Sequence, residues 1–278
     1  MVLDWLEAVV LGVVQGLTEF LPVSSDGHLS ITQQLFARLR GASSSGKDNL
    51  LFIVILHLGT LASILVHYRH VGMASTRGVL GLEPIPVGYS RARVLRVVLL
   101  TAIATLPAVV VGLTVKDRIE ELFGSPSAAA AGFLVTAVVL LVSTRFPEGR
   151  IGPDETTWKQ ALLIGLAQAV APLPGVSRSG LTIAAALALG FRRTWAVGFS
   201  LAMAVVAILG AMVLELKDAS IAGLDPSWVQ RAAVGTLISG IVGYAAIVWL
   251  LKVVRHGRLW YFSGYLLVLA LAVWFGLA

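Results

Sequence analysis

The chain has 278 residues, of which 57% are hydrophobic and 13% charged, and its mean hydropathy is +0.88. This composition is too apolar for a soluble domain and is typical of a polytopic helical membrane protein. Because the chain contains no cysteine, it can form neither a disulfide framework nor a cysteine-ligated zinc site. The net charge of +6 is scattered over short loops, which predicts cytoplasmic Lys and Arg and no nucleic-acid partner.

Six segments are long and apolar enough to cross a bilayer as transmembrane helices. They cover roughly residues 50–68, 94–114, 127–145, 195–215, 229–251 and 259–277. Between the first two lies the stretch 69–93, which is rich in Gly, Pro and Arg and is predicted to be a cytoplasmic loop.

Two other apolar regions, about 5–38 and 158–191, are interrupted by Pro22 and Pro174. A proline followed by serines ends one helix and caps the next, and the resulting pieces are short for a span. Each region is therefore predicted to be a re-entrant helical hairpin. The alternative is a pair of crossing helices with a proline kink, because kinked membrane helices are common.

The two broken regions have similar sequences. Residues 12–31 read GVVQGLTEFLPVSSDGHLSI and residues 165–183 read GLAQAVAPLPGVSRSGLTI. With one gap, the aligned pairs are Gly12 with Gly165, Gln15 with Gln168, Leu21 with Leu173, Pro22 with Pro174, Ser25 with Ser177, Leu29 with Leu181 and Ile31 with Ile183. Two such segments with complementary polar groups indicate one site assembled from two halves. We expect a single membrane domain, 1–278, made of repeats 1–145 and 146–278.

An odd number of spans in each repeat would invert the second repeat relative to the first. With the N-terminus outside, thirteen Lys and Arg lie inside and seven outside, with Arg178 set apart in its motif. The positive-inside rule therefore predicts that both termini are outside. The first hairpin would enter from outside and the second from inside.

The first motif carries groups suited to catalysis. Gln15 and Glu19 are four residues apart and share one helix face. A carboxylate within the membrane is costly and by default functional, although a structural pairing with Arg is the alternative. Ser24 and Ser25 suit a helix N-terminus that binds anions. His28 lies one turn further and is a candidate catalytic group, with structural hydrogen bonding as the alternative.

The second motif, PGVSRSGLT, has the composition of a phosphate-binding turn. Gly175 lets the backbone approach a ligand closely. Ser177, Ser179 and Thr182 supply hydroxyl groups, and Arg178 supplies a fork that fits phosphate oxygens. A snorkelling arginine is the alternative, but Arg178 sits well inside the apolar segment.

Together the two motifs contain the groups that a phosphate-ester site needs. Arg178 and the helix N-termini would stabilise charge on the transferred phosphoryl group. Glu19 would hold a divalent metal, Mg²⁺ or Ca²⁺. His28, Ser25 or a water could attack the phosphorus, and we favour His28 as nucleophile or acid–base group. A phosphorylated lipid is the natural substrate at this depth.

At these residues, QGLTE running into PVSSDGH and the later PGVSRSGLT, the chain closely resembles the undecaprenyl-diphosphate phosphatase (bacitracin resistance) family over essentially its full length. The resemblance implies removal of the terminal phosphate from undecaprenyl diphosphate, which recycles the carrier lipid of cell-wall synthesis. It also implies a divalent-metal requirement and a multi-pass location in the bacterial inner membrane, with the site open to the periplasm. The implied site residues are Gln15, Glu19, Ser24, Ser25, His28, Gly175, Ser177, Arg178, Ser179 and Thr182.

Two positions qualify this resemblance. The first acidic position of the family motif is Gln15 here, which leaves Glu19 as the main anionic metal ligand. His57, in LHLGT, also looks similar to the family, and we interpret it as packing or hydrogen bonding near the site.

A transporter or flippase for a polyprenyl phosphate is the competing hypothesis, since inverted repeats with broken helices are typical of transporters. Ser25 and His28 favour an enzyme, because a transporter needs no nucleophile beside the carboxylate. The spacing of Gly12 and Gly16 is compatible with helix packing or with a homodimer.

Overall fold

A computed structural model describes residues 4–40, 47–82, 88–115, 122, 125–218 and 225–276. Within these ranges the protein is built of eleven helices, and one isolated parallel β-bridge joins Ile151 to Phe191. The helices are α1 (Trp5–Phe20), α2 (Ser25–Arg40), α3 (Lys47–His67), α4 (Arg69–Leu80), α5 (Arg91–Thr114), α6 (Pro126–Ser143), α7 (Trp158–Gln168), α8 (Arg178–Ala188), α9 (Arg193–Asp218), α10 (Pro226–Arg255) and α11 (Trp260–Gly276). The predicted all-helical polytopic membrane class is confirmed.

In the part of the chain that the structure describes, four helices are long and apolar enough to cross a bilayer, namely α5, α6, α9 and α10. They correspond to the predicted segments 94–114, 127–145, 195–215 and 229–251. The predicted segment 259–277 contains α11, an apolar helix of 17 residues, and the predicted segment 50–68 overlaps most of α3. A bend of 71° separates α3 from α4. Parts of the predicted outer loops, at 41–46, 116–121 and 219–224, lie outside the described residues.

Both predicted helix breaks are confirmed. Residues 21–24 separate α1 from α2, and residues 169–177 separate α7 from α8. A serine hydroxyl caps the second helix of each pair: Ser24 Oγ accepts from Gly27 N at 3.3 Å, and Ser177 Oγ accepts from Gly180 N at 3.1 Å. These bonds satisfy backbone donors that would otherwise lack partners at a helix start.

The loop prediction for 69–93 was wrong over its first half, which forms α4. This helix ends at Gly81, whose φ of +69° and N–H bond to Arg77 O form a left-handed C-cap. Gly78 allows the backbone of Tyr89 to lie against α4, because a Cβ there would come within 1.6 Å of Tyr89 O. Tertiary packing thus outweighs the low helix propensity of the glycines.

The first helix of each hairpin packs on a helix from the opposite half of the chain. In α1, a Cβ on Gly12 would lie 2.5 Å from Gly235 O of α10, and one on Gly16 would lie 2.6 Å from Ser239 O. The Gly12–Gly16 motif is therefore a helix-packing contact within the molecule. In α7, a Cβ on Gly165 would lie 2.3 Å from Ala104 O of α5. Each hairpin is thereby fixed by a helix of the other half.

Candidate active site

The two interhelical turns touch each other near the middle of the fold. Ser179 Oγ donates to Leu21 O at 3.1 Å across the two motifs. Gly27 lies so close to Gly175 that a Cβ on Gly27 would be 2.9 Å from Gly175 Cα. Gly175 has a φ of +80°, which favours glycine, and a Cβ there would meet Ala129 O at 2.0 Å. The two motifs therefore form one site.

A buried ion pair joins the two motifs. Arg178 Nη2 donates to Glu19 Oε1 at 2.5 Å, and the Glu19 side chain is only 4% exposed. Glu19 Oε2 accepts from Gln15 Nε2 at 3.0 Å and from Ser25 Oγ at 2.7 Å. Both carboxylate oxygens are thus held by donors, as a buried charge requires.

Beside this pair lies a cavity of about 250 Å³ that is lined by both polar and apolar side chains. Five of the predicted site residues line it: Glu19, Ser24, Ser25, Ser177 and Arg178. The other polar lining residues are Thr18, Asp26, His57 and Gln168. The apolar lining residues are Ala108, Ala171, Pro172, Val176, Ala207, Ile208 and Ala211. A cavity of this kind suits a ligand with a charged head and an apolar chain.

Four other predicted residues support the site without lining the cavity. Gln15 lies behind Glu19, and Gly175 and Ser179 make the contacts between the turns described above. Thr182 Oγ1 lies 2.8 Å from Arg178 O and 2.7 Å from Ser200 Oγ, so it ties α8 to α9.

His28 does not line the cavity. Its Nδ1 lies 2.7 Å from Ser24 O, and its Nε2 lies 2.7 Å from the hydroxyl of Tyr265 in α11. The ring stacks on Tyr265 and meets Phe133 edge-on. The chemical role predicted for His28 stays a prediction, but the geometry does not bring its ring to the cavity.

His57 lies beside Glu19, where the sequence predicted His28. Its Nε2 lies 3.6 Å from Glu19 Oε2, an ion-pair distance if the ring is protonated, while its Nδ1 lies 2.8 Å from Ile53 O. The sequence indicated only that His57 belongs near the site. Its position follows from the packing of α3 beside the first hairpin.

Asp26 and Gln168 are cavity residues that the sequence prediction missed. Asp26 adds a second carboxylate next to Ser25. Gln168 is 2% exposed, and neither atom of its amide has a hydrogen-bond partner among the described residues. Leaving a buried polar group unpaired costs about 1–3 kcal/mol, so this amide is suited to bind a ligand. The repeat alignment contained the signal, because it pairs Gln168 with Gln15.

Comparison with known proteins supports the family resemblance over nearly the whole chain. Residues 8–272 match the profile of the bacitracin resistance protein BacA family. The chain belongs to this family. Among curated relatives named undecaprenyl-diphosphatase, that of Desulfatibacillum aliphaticivorans is 40% identical over 273 residues, which cover 95% of each chain. That of Carboxydothermus hydrogenoformans is 38% identical, covering 96% of this chain and 95% of the relative. That of Alcanivorax borkumensis is 38% identical, covering 99% of this chain and 100% of the relative.

Proposed function

We propose that the protein is a membrane phosphatase that hydrolyses undecaprenyl diphosphate to undecaprenyl phosphate and orthophosphate. The reaction would recycle the lipid carrier of cell-wall synthesis and confer bacitracin resistance. The family membership and the name undecaprenyl-diphosphatase of the relatives support this activity.

One structural observation carries the proposal. The Glu19–Arg178 pair joins two broken helices and lines a cavity that is also lined by apolar side chains of α5, α9 and the second turn. The guanidinium matches phosphate oxygens, and the apolar lining matches an isoprenoid chain. The substrate oxygens would take over the Arg178 donor that Glu19 holds in their absence.

The geometry favours Ser25 over His28 as the attacking group. Ser25 Oγ already donates to Glu19 Oε2, so Glu19 is placed to accept its proton. Attack would form a bond between Ser25 Oγ and the terminal phosphorus and break the bridging P–O bond, which releases undecaprenyl phosphate. Water would then hydrolyse the phosphoserine. Direct attack by a water that Glu19 deprotonates is the alternative step.

The residues present are compatible with a magnesium site of the open type. Mg²⁺ usually binds one or two carboxylates together with waters and substrate phosphates. Glu19 and Asp26 supply carboxylates, and the unpaired amide of Gln168 lines the same cavity. In the described residues no three His, Asp or Glu side chains are grouped to hold an ion. When bound, the metal would neutralise charge on the phosphate oxygens.

We further propose six membrane spans, α3, α5, α6, α9, α10 and α11, and two re-entrant hairpins in inverted repeats 1–145 and 146–278. The 11-residue helices α7 and α8 would each be about 16 Å long, and the 16-residue α1 about 24 Å. All three fall short of the hydrocarbon core. The aligned glycines Gly12 and Gly165 make equivalent close contacts with opposite halves, which supports the repeat. Both termini and the active site would face the periplasm.

Orthophosphate release by the purified protein in detergent micelles tests the activity. A micelle does not separate two compartments, so transport cannot be observed there and a transporter would produce no orthophosphate. The phosphatase would release orthophosphate from a prenyl diphosphate. Release should require Mg²⁺ or Ca²⁺ and should be lost in Glu19→Gln. No release from wild type with either metal would overturn the phosphatase proposal.

A further inference from the structure

A second cavity, of about 660 Å³, adjoins the first along α9 and extends towards the start of that helix, and no residue lines both cavities. The bend between α3 and α4 forms one side of this cavity, and α5, α9 and the end of α10 complete it. Much of the wall is apolar, with Ile64, Leu65, Val71, Leu201, Val205 and Leu251. Leu65 is 59% exposed, so the wall opens to the surroundings.

The rim of this cavity is basic and aromatic. Arg192 and Arg255 lie on it together with Tyr68, Tyr89 and Trp195. Arg192 Nε donates to a backbone carbonyl, and its Nη2 is 3.8 Å from an exposed glutamate, so its charge is only partly balanced. The loops and helix ends predicted to face the cytoplasm carry thirteen Lys and Arg but four acidic residues: Glu83, Glu148, Asp154 and Glu155.

The bend at the rim indicates the depth of the cavity in the membrane. Since α4 turns by 71° from α3, α4 runs across the end of a helix bundle rather than along it. Tyr and Trp side chains collect at the level of lipid headgroups, and three of them lie on this rim. The rim is therefore at headgroup level, and the apolar wall is at acyl-chain level.

We infer that this cavity binds an anionic phospholipid of the cytoplasmic leaflet. Its phosphate would lie between Arg192 and Arg255, and its acyl chains would lie along the apolar wall. Basic pockets between membrane helices on this side suit anionic headgroups, whereas a zwitterionic lipid would leave the excess positive charge of the rim unbalanced. The inference depends on membrane embedding and goes beyond the phosphatase activity.

Native mass spectrometry of protein taken from vesicles with equal parts phosphatidylglycerol and phosphatidylcholine tests this site. The wild type should retain phosphatidylglycerol with a preference of about tenfold, given two arginines at headgroup level. The double variant Arg192→Gln/Arg255→Gln should lose that preference. The matched control Arg77→Gln/Arg145→Gln removes the same charge from the same face outside the cavity and should keep it.

Three outcomes would overturn the lipid site. They are equal retention of the two lipids by wild type, equal loss of preference in both double variants, and displacement of the lipid by inorganic phosphate alone. Thermal unfolding in detergent shows whether each variant is folded. Because orthophosphate release is not the readout, failure here leaves the phosphatase proposal intact.

An independent observation concerns Tyr265 and its contact with His28. The backbone carbonyl oxygen of Ser24 can only accept a hydrogen bond, so the His28 Nδ1 bonded to it carries a hydrogen. The neutral ring then accepts from the Tyr265 hydroxyl through Nε2. Helix α11, close to the C-terminal end of the chain, thereby fixes a ring of the first motif.

His28 in turn holds a strained turn. Ser24 has a φ of +70° and is the single non-glycine residue with positive φ in the described part of the chain. Such a conformation persists only where surrounding contacts impose it. Ser24 O accepts from both the ring and the backbone N–H of His28. The next residue, Ser25, reaches Glu19 at 2.7 Å. The geometry points to Tyr265 as a positioning residue that keeps Ser25 in place through His28.

Two readouts test this positioning role, and only the first of them rests on the proposed function. Tyr265→Phe should lower kcat about tenfold with little change in KM. Tyr261→Phe, one turn earlier in the same helix with its ring against Trp260, should leave both unchanged. His28→Asn keeps a donor at the Nδ1 position and should retain more activity than His28→Ala. Wild-type kcat in Tyr265→Phe would overturn the proposal.

The second readout needs no activity. In a Ser25→Cys background the chain has a single thiol, because it has no cysteine of its own. Its alkylation rate should change several-fold when Tyr265→Phe is added and should stay constant with Tyr261→Phe. An unchanged rate with Tyr265→Phe would overturn the positioning role even if the protein proved inactive towards prenyl diphosphates.

Discussion

Gln15 and Gln168 are equivalent residues in the two motifs with different surroundings. Gln15 Nε2 donates to Glu19, although Gln15 Oε1 has no partner among the described residues. Neither atom of the Gln168 amide has such a partner, and Gln168 lines the cavity. We interpret this difference as a division of labour, in which Gln15 stabilises the site and Gln168 contacts the ligand. A buried amide that waits for a ligand destabilises the free protein.

Replacing the two glutamines by methionine should change the thermal stability in opposite directions. Gln168→Met should raise thermal stability, because it removes an unpaired polar group worth about 1–3 kcal/mol, and should lower kcat/KM about tenfold or more. Gln15→Met also removes an unpaired atom, Oε1, but it should lower stability because the buried Glu19 carboxylate loses a hydrogen-bond donor, and bonds to charged groups are the stronger ones. Unfolding scans in detergent and orthophosphate release measure the two effects. A loss of stability in Gln168→Met would show that its amide has a structural role.

Arg178 is the residue whose replacement should affect catalysis most. Arg178→Lys keeps the charge but cannot reproduce the planar fork, so kcat/KM should fall about a hundredfold, as for loss of one transition-state donor. Orthophosphate release measures the change, and Arg192→Lys at the second cavity serves as the matched control. Near-normal turnover of Arg178→Lys would remove Arg178 from the reacting centre.

At the residue scale, the sequence predicted which charged residues belong to the site better than it predicted where side chains point. Glu19 and Arg178 stood out because ionisable groups are rare inside apolar segments. The direction of His28 was not predictable, because it depends on the positive φ of Ser24 and on Tyr265, 237 residues away. His57 reaches Glu19 only through the packing of α3, which no local pattern indicates.

At the element scale, the aligned glycines Gly12 and Gly165 allow α1 to pack closely on α10 and α7 to pack closely on α5. Gly12→Ala and Gly165→Ala should each lower the unfolding temperature, because the new methyl would overlap a backbone oxygen of the neighbouring helix. Gly112→Ala and Gly210→Ala are matched controls with nothing within 4 Å of the new methyl. The controls should be neutral or stabilising by up to about 1 kcal/mol. Tolerance of alanine at Gly165 would contradict the packing.

The helix breaks were predictable because proline and serine act locally on the backbone. The partners of the broken helices were not. Nothing in the segment around Gly165 indicates that it lies on Ala104, because that contact joins distant parts of the chain. The helix α4 was missed for a related reason, since its glycines serve packing and capping at Gly78 and Gly81.

At the scale of the whole molecule, charge is distributed unequally between the two ends. The end with Arg192 and Arg255 carries most of the basic residues, and several of its ion pairs, such as Arg93–Asp154 and Arg193–Glu148, involve the loop before α7. The other end contains the capped start of α10 at Asp225. If the positive-inside rule sets the orientation, these two ends face the cytoplasm and the periplasm respectively.

Labelling of single cysteines tests this orientation, and the absence of native cysteine removes any background. Glu148 and Asp225 have side chains 59% and 65% exposed, so Glu148→Cys and Asp225→Cys should fold and react. In intact cells with an opened outer membrane, an impermeant thiol reagent should modify Asp225→Cys but not Glu148→Cys. After lysis both should react, which controls for intrinsic reactivity. Because the proposed topology places one re-entrant hairpin and one span, α9, between these two positions, modification of both variants from the same side would contradict that topology.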